Sequence, residues 1–291
     1  MQVGIIGAGK VGTTLGACLK EHGIKVTGFY SRTYESAKES AEFTGTVPFH
    51  TLEEICQSSD TLFLTVSDDR IESVWDRIDK RLLFGKMICH FSGSISSVVF
   101  SGREQWEILA ASAHPVFAFH DKFTSIQDFH GISFTLEGDQ MAVTMLKDLL
   151  LELGHRPYLI DSKDKEKYHA AASMASNHAV ALFSTAFSLL EECGFQEEEA
   201  RELFAPLILA NAKNVCENGC VKALTGPIER GDVTTVKKHL SVLRDDALEV
   251  YVVLAKKILE LAKKKHPERE YAGLENIDEF HQKNNSGGVW K

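Results

Sequence analysis

No stretch of this chain of 291 residues reaches the roughly 18 to 20 uncharged apolar residues that a bilayer-spanning helix needs, so no membrane span is expected. Positive charge is in deficit as well. The chain has 32 Lys and Arg against 41 Asp and Glu, a formal net charge of -9. Nucleic acid and anionic membranes demand a basic face, so neither is an expected partner, and a small molecule is. Cysteine is sparse: Cys18, Cys56, Cys89, Cys193, Cys216 and Cys220 include no CxxC pair and sit mostly in apolar periodic segments. Reduced core thiols follow. Met1 leads directly into the strand-like VGII instead of a basic and then apolar leader, so a cytoplasmic location is expected. Cys216 and Cys220 could share one side of a helix, but no histidine pair stands near them, and no metal is expected.

What is present describes a folded globular protein. Hydrophobic residues at 44% and charged residues at 25% match ordinary domains, and the length suggests two cores. The first half alternates short β-branched runs (residues 2–6, 25–30, 61–66, 87–91, 108–113, 132–136 and 157–160) with amphipathic stretches (10–22, 33–43, 52–58, 70–80 and 141–153). That alternation is the signature of βαβ units around a parallel sheet. Past residue 161 the strand pattern stops, and apolar residues recur at helical spacing through 163–193, 196–216 and 243–263. The fold class read from this is α/β, a doubly wound Rossmann sheet over residues 1–160. An all-α domain over 161–270 and a loose tail over 271–291 follow it. The first helix of the second domain is apolar around most of its circumference, so it should be buried between partners, as in a homodimer or a packed bundle.

The sharpest motif is Gly7-Ala8-Gly9-Lys10-Val11-Gly12, directly after an apolar strand and opening a helix. Gly7 permits the tight turn, Gly9 lets the backbone approach a pyrophosphate, and Gly12 allows the helix to pack on the strand. The helix N-terminus then offers free N–H groups to the diphosphate. The second strand ends in Ser31-Arg32-Thr33, where an NAD enzyme usually carries an acid for the ribose hydroxyl. Two hydroxyls and a guanidinium suit a 2′-phosphate instead, so NADP is expected over NAD, although Ser31 or Thr33 could equally cap the next helix. Two more strand ends, Val66-Ser67-Asp68 and Ser92-Gly93-Ser94, fall where an open α/β sheet binds its ligand. Val66, Ser67, Ser92 and Gly93 are therefore expected near the cofactor, with Asp68 read as a helix cap.

For substrate, His114-Pro115 follows the run ending at Ala113, and the proline could aim the imidazole into the cleft. His169, Ser173 and Asn177 are spaced i, i+4, i+8, which lays them along one helix face beside Tyr168 and His178. A polar stripe on a buried helix needs partners, and a substrate pocket or interhelical hydrogen bonds would supply them. The turn-rich stretch around Thr225-Gly226-Pro227 offers a hydroxyl and N–H donors on a stiffened loop, while its glycines could also simply end helices.

With these motifs the chain resembles a group of Rossmann-like proteins that join an NADP-type coenzyme domain to a helical domain of unknown function (DUF2520 type). They are related to pyrroline-5-carboxylate reductase and the 6-phosphogluconate dehydrogenase-like superfamily. The matching segments are Gly7 to Gly12, Ser31-Arg32, Phe91 to Ser94, His114-Pro115, Tyr168 to Ala172 through Ser176-Asn177, and Leu224 to Asp232. The resemblance implies an intertwined helical dimer and NADP-linked hydride transfer involving a small imine, ketone or hydroxy acid. His114-Pro115 also resembles prephenate and arogenate dehydrogenases, but His178 follows Asn177 where those show Ser-His, and the acid ending the second strand is missing. The lysine and asparagine pair of β-hydroxyacid dehydrogenases is incomplete, because Ser173 stands four residues before Asn177. A clear acid–base dyad is thus missing, which keeps open a non-catalytic NADP-binding sensor or scaffold dimer.

Overall fold

The computed structural model describes residues 1–277. The chain folds as two compact units, Met1–Ala175 and a second beginning at Ser176, one helix later than the boundary expected at 160/161.

The first unit runs β1 (Gln2–Ile6), α1 (Lys10–Glu21), β2 (Lys25–Tyr30), α2 (Tyr34–Thr44), β3 (Val47–Pro48), α3 (Leu52–Ser58), β4 (Thr61–Leu64) and α4 (Asp68–Arg77). It continues with β5 (Met87–His90), β6 (Leu109–Pro115), β7 (Ser133–Gly138), α5 (Gln140–Glu152), β8 (Arg156–Leu159) and α6 (Lys165–Ala175). The strands form one eight-stranded sheet ordered β3-β2-β1-β4-β5-β6-β7-β8. Neighbours are parallel except β6 against β7. This is the doubly wound architecture the βαβ alternation predicts, with the two-residue β3 added. Successive residues of a strand face opposite sides, so Ile5 feeds one buried cluster while Ile6 feeds the other. Both faces are covered, which is why the strands read as continuous apolar runs. Strand order reverses between β1 and β4, and the crevice outside the carboxyl ends there is where such sheets bind ligands.

The regular elements of the second unit are all helices: α7 (Asn177–Glu192), α8 (Glu197–Ala223), α9 (Pro227–Arg230), α10 (Val233–Val242) and α11 (Asp245–Lys265). Its core gathers Val236 and Leu240 of α10 with Leu248, Val252 and Ala255 of α11. Tyr271, Leu274 and Ile277 join that core, at 3% exposure or less. The segment expected as a loose tail therefore packs as far as Ile277, and residues 278–291 lie outside the described residues. Apolar side chains spaced by turns, not by a helix, hide this from a periodicity reading.

Two helical expectations are corrected. The run 163–193 is not one helix, since Ser176 has φ -117 and ψ -80 and separates α6 from α7. Asn177 therefore starts a new helix and does not continue the His169 and Ser173 face. Gly219, at φ 77 and ψ 162, interrupts α8 between Cys216 and Cys220, so those two do not share a regular helical face. The cysteines divide evenly: Cys18, Cys56 and Cys89 are buried, while Cys193, Cys216 and Cys220 are exposed, against the expectation of core thiols. All three exposed ones lie on or beside α7 and α8, whose apolar residues are poorly covered within this chain.

Candidate functional site

At the switch point the glycine motif forms a cradle. Gly7 sits at φ 117, a left-handed conformation that glycine tolerates, and its N–H donates to Tyr30 O at 2.8 Å. Its own carbonyl accepts from Thr65 Oγ1 at 2.7 Å. A Cβ on Gly12 would collide with the Gly7 carbonyl and with Thr65 Oγ1, so α1 can approach the strand ends only without one. Gly9 faces open space, with no atom within 4 Å of the point a Cβ would occupy. A diphosphate could therefore lie close to that backbone and receive the N–H groups of the first turn of α1, where Lys10 and Val11 stand.

The cradle opens into a cavity of about 420 Å³ walled by Gly7, Ala8, Gly9, Ser31, Arg32, Thr33, Val66 and Ser67. Ser36, Arg70 and Arg77 also line it. Eight expected cofactor residues thus meet in one cavity, and no carboxylate lines it. Thr33 precedes α2 without spending its hydroxyl on a cap, so Ser31, Arg32 and Thr33 are available to a phosphate. Arg70 is already paired with Asp69 at 3.1 Å, which leaves Arg32 and Arg77 as the stronger cationic candidates. Sequence reasoning missed Ser36, Arg70 and Arg77 because helix surface arginines and serines carry no local signal. Shape and charge fit an NADP adenosine phosphate.

Ser92 and Gly93 do not line that cavity; they lie in the loop after β5, tied to it through α4. Asp68 Oδ2 accepts from Ser92 Oγ and from Ser94 Oγ, each at 2.8 Å. Ser92 Oγ accepts in turn from the N–H groups of Ser94 and Ile95. Asp68 is therefore not the helix cap the sequence suggests: Ser67 holds the N-cap position, and the Asp68 carboxylate serves the loop after β5. Around Gly93 the expected histidines converge. A Cβ on this glycine would stand 2.5 Å from His169 Nδ1 and 2.9 Å from His114 Nε2, so both imidazoles press on its Cα. His114 Nδ1 shares a 2.7 Å hydrogen bond with Tyr168 Oη, and the two histidine rings meet nearly edge to face, 6.0 Å between centroids. Buried His169 Nδ1 has no hydrogen-bond partner among the described residues.

Electrostatics hold His114 neutral. Burial, then the Lys165 cation, then His169 lower it to about 4, with Asp68 pulling the other way. Lys165 was not singled out by the sequence. It is 1% exposed, donates to Ser92 O at 2.7 Å and to Ser112 Oγ, and burial lowers it to about 8.

The remaining expected residues are less gathered. Ser173 lies half-exposed on α6, one turn beyond His169. Asn177 is exposed at the start of α7 and accepts from Ser176 Oγ at 3.0 Å. In the second unit, Gly226, at φ 108, opens α9, with Pro227 in its first turn. Thr225 and Pro227 border an apolar cavity of about 480 Å³ that also holds the His239–Tyr251 hydrogen bond. Among the described residues no helix is long and apolar enough to cross a membrane, and no group of three metal-ligating side chains assembles.

Comparison with known proteins gives two family matches. Residues 2–90 match the family described as NADP oxidoreductase coenzyme F420-dependent, and residues 132–258 match the domain of unknown function DUF2520. Among curated proteins, none matches the chain. A solved structure from Bacteroides fragilis, described as an NADP oxidoreductase, is 26% identical, with a TM-score of 0.68 over 89% of this chain and 98% of that one. A Thermotoga maritima protein is also 26% identical, with a TM-score of 0.70 over 91% and 99% of the two chains. At the level of fold, an imine reductase from Pseudomonas sp. aligns with a TM-score of 0.59 at 16% identity, over 98% and 94%.

Proposed function

We propose that this chain, in which an NADP oxidoreductase domain is joined to a DUF2520 domain, catalyses hydride transfer between NADP and a small imine, with ketones and hydroxy acids as the neighbouring substrate classes. The convergence of His114 Nε2 and His169 Nδ1 on Gly93 carries this reading. Bound NADPH would supply the hydride, and this chain's residues do the rest. Gly7, Ala8, Gly9 and Gly12 with Lys10 and Val11 form the diphosphate cradle, and Ser31, Arg32 and Thr33 receive the 2′-phosphate. Val66, Ser67, Ser92 and Gly93 border the reacting end.

His114 is lowered to about 4, so at neutral pH it is an imidazole and not an imidazolium. We assign the Nδ1 proton to the hydrogen bond with Tyr168 Oη, which leaves the Nε2 lone pair free to accept the N–H of a protonated imine. A neutral acceptor of this kind orients the substrate without supplying a proton. That favours an imine arriving already protonated, whose reduction needs no further proton from the protein. Pyrroline carboxylate and imine reductases of the same fold point to the same class. His169 and Ser173, on α6 beside His114, are assigned to substrate contact.

The chain is further assigned as a homodimer. No residue of α7 is buried, and Val180, Leu207 and Leu209 are each more than 60% exposed. Large apolar side chains exposed to this extent on neighbouring helices mark an interface.

The test is NADPH oxidation with cyclic imines and matching ketones. Imines should be reduced, and His114→Gln should lower kcat/KM by about 10²-fold while NADPH affinity and thermal midpoint stay put. Oxidation that proceeds equally well in His114→Gln, or no oxidation with any of these substrates, overturns the reading.

A further inference from the structure

Lys165, Tyr168 and His169 stand at i, i+3 and i+4, so they share one face of α6. All three engage the ends of β5 and β6. Lys165 Nζ donates to Ser92 O at 2.7 Å and to Ser112 Oγ, Tyr168 bonds His114 at 2.7 Å, and His169 lies against Gly93. Ser92 precedes Gly93. Ser112 lies two residues before His114 on β6, hence on the same face of the sheet. One buried ammonium therefore ties together the two backbone segments that set the Gly93–His114 approach.

The cation is costly where it lies. It is 1% exposed, and among the described residues no carboxylate comes within 4.0 Å of its Nζ. Glu137 of β7, the strongest opposing charge, spends its two oxygens on Ser97 N–H at 2.7 Å and Ser97 Oγ at 2.8 Å. A methionine of similar length would fill such a place without the desolvation penalty. Burial leaves Lys165 almost no surface of its own, so its chemistry acts through neighbours.

We infer that Lys165 is a positioning residue: it fixes the Ser92–Gly93 backbone against β6 and, as a cation behind the His114 imidazole, opposes a second charge there, so that His114 meets substrate as a hydrogen-bond acceptor. The groups facing His114 are Lys165, Tyr168 and His169 from α6 and Asp68 from α4. Lys165 and His169 oppose protonation of His114, and Asp68 favours it. Lys165 is faced by Glu137 of β7, by Cys89 of β5 and by Asp68, and it also lowers His90 of β5. Only the consequence for turnover rests on the function proposed above; the charge relation does not.

The test is a pH titration of the full chain labelled with carbon-13 in its histidine rings, followed by NMR from about pH 4.5 to 9, the range that brackets ordinary histidine titration. His114→Gln identifies the resonance. In the wild type His114 should stay neutral down to the acid end. In Lys165→Met it should titrate at a higher pH, inside the window, while burial, the larger cause, still holds it below its ordinary 6.5. Lys165→Arg, which keeps the charge, should restore the low value. A folded Lys165→Met protein whose His114 still titrates as in the wild type overturns the inference.

If Lys165→Met does not fold, the wild type alone decides. Lys165 loses its proton near pH 8, so the His114 ring resonance should show an inflection there, and a flat line overturns the inference. Turnover separates the two proposals. If His114→Gln leaves imine reduction intact while the Lys165→Met titration shifts, the function assigned to His114 fails and the role of Lys165 stands.

Discussion

Three histidines of the Rossmann unit, His90, His114 and His155, are each lowered to about 4 from an ordinary 6.5, with burial as the largest cause. His90 Nδ1 accepts the Ser92 N–H, and His155 lies between the Phe129 and Phe134 rings; at His90 burial outweighs the Ser96 backbone and Asp68, which favour the charged form. A folded-state value below the unfolded one means that the unfolded chain binds protons first. Stability is thus full above pH 6.5 and is lost as pH falls from 6.5 towards 4. At pH 5 each histidine contributes a difference of about 0.9 proton, or about 1.2 kcal/mol per pH unit. Integrated from pH 7 to 5, each costs about 1.8 kcal/mol and the three about 5, with half-buried His114 contributing least. That sum rivals the whole stability of an ordinary domain, about 5–15 kcal/mol. Urea unfolding of the ligand-free protein at pH 7, 6 and 5, read by fluorescence of buried Trp75, should show a steep fall. His155→Phe, which keeps the aromatic packing, should lower the slope at pH 5 by about one proton. The lowered carboxylates, such as Asp139 beside Arg103, titrate at more acid pH and do not confuse the window. A wild-type slope of less than one proton at pH 5, or an unchanged slope in His155→Phe, refutes the reasoning.

Gly93→Ala places a methyl 2.5 Å from His169 Nδ1, so the imidazoles must retreat by about 1 Å. Imine reduction should fall about 10²-fold and stability by about 1–3 kcal/mol, while NADPH affinity stays within about twofold; a retained rate contradicts the site. Arg32→Ala removes a charged donor from the 2′-phosphate, worth about 1.5–3 kcal/mol. NADPH should bind about 10- to 150-fold more weakly and NADH as before, and calorimetry showing equal losses for both places the phosphate elsewhere.

The Rossmann half was legible because its signals are local. Gly7, Gly9 and Gly12 carry backbone requirements in their own identity, and the apolar runs of β1, β4 and β5 announce strands covered on both faces. β3 escaped because two residues show no period. The break at Ser176 escaped because neither glycine nor proline marks it, and the alanine-rich stretch on either side favours helix. Lys165 escaped for a deeper reason. It sits in Lys163-Asp164-Lys165-Glu166-Lys167, a charge run whose ordinary fate is solvent, and Lys163 and Lys167 are indeed exposed. Only the carbonyl of Ser92 and the hydroxyl of Ser112, brought together by strands far away in sequence, distinguish the middle lysine.

The same logic explains why Gly93 is held so firmly although it lies in a loop. Asp68 follows Ser67 of the cofactor cavity and receives the hydroxyls of Ser92 and Ser94, so the wall that faces the dinucleotide and the loop that faces the histidines move as one piece. From the other element, Lys165 takes the Ser92 carbonyl. Ser92 thereby has its hydroxyl fixed from α4 and its carbonyl fixed from α6, and the residue after it has neither side chain nor slack. A loop between a strand and a 3-10 turn would ordinarily be among the mobile parts of a domain. Here a carboxylate and an ammonium, each spent on backbone-adjacent groups and not on each other, convert it into a fixed reference against which two imidazoles are aimed. That arrangement favours a role in chemistry over one in stability, because a buried cation without a salt-bridge partner weakens the fold that carries it.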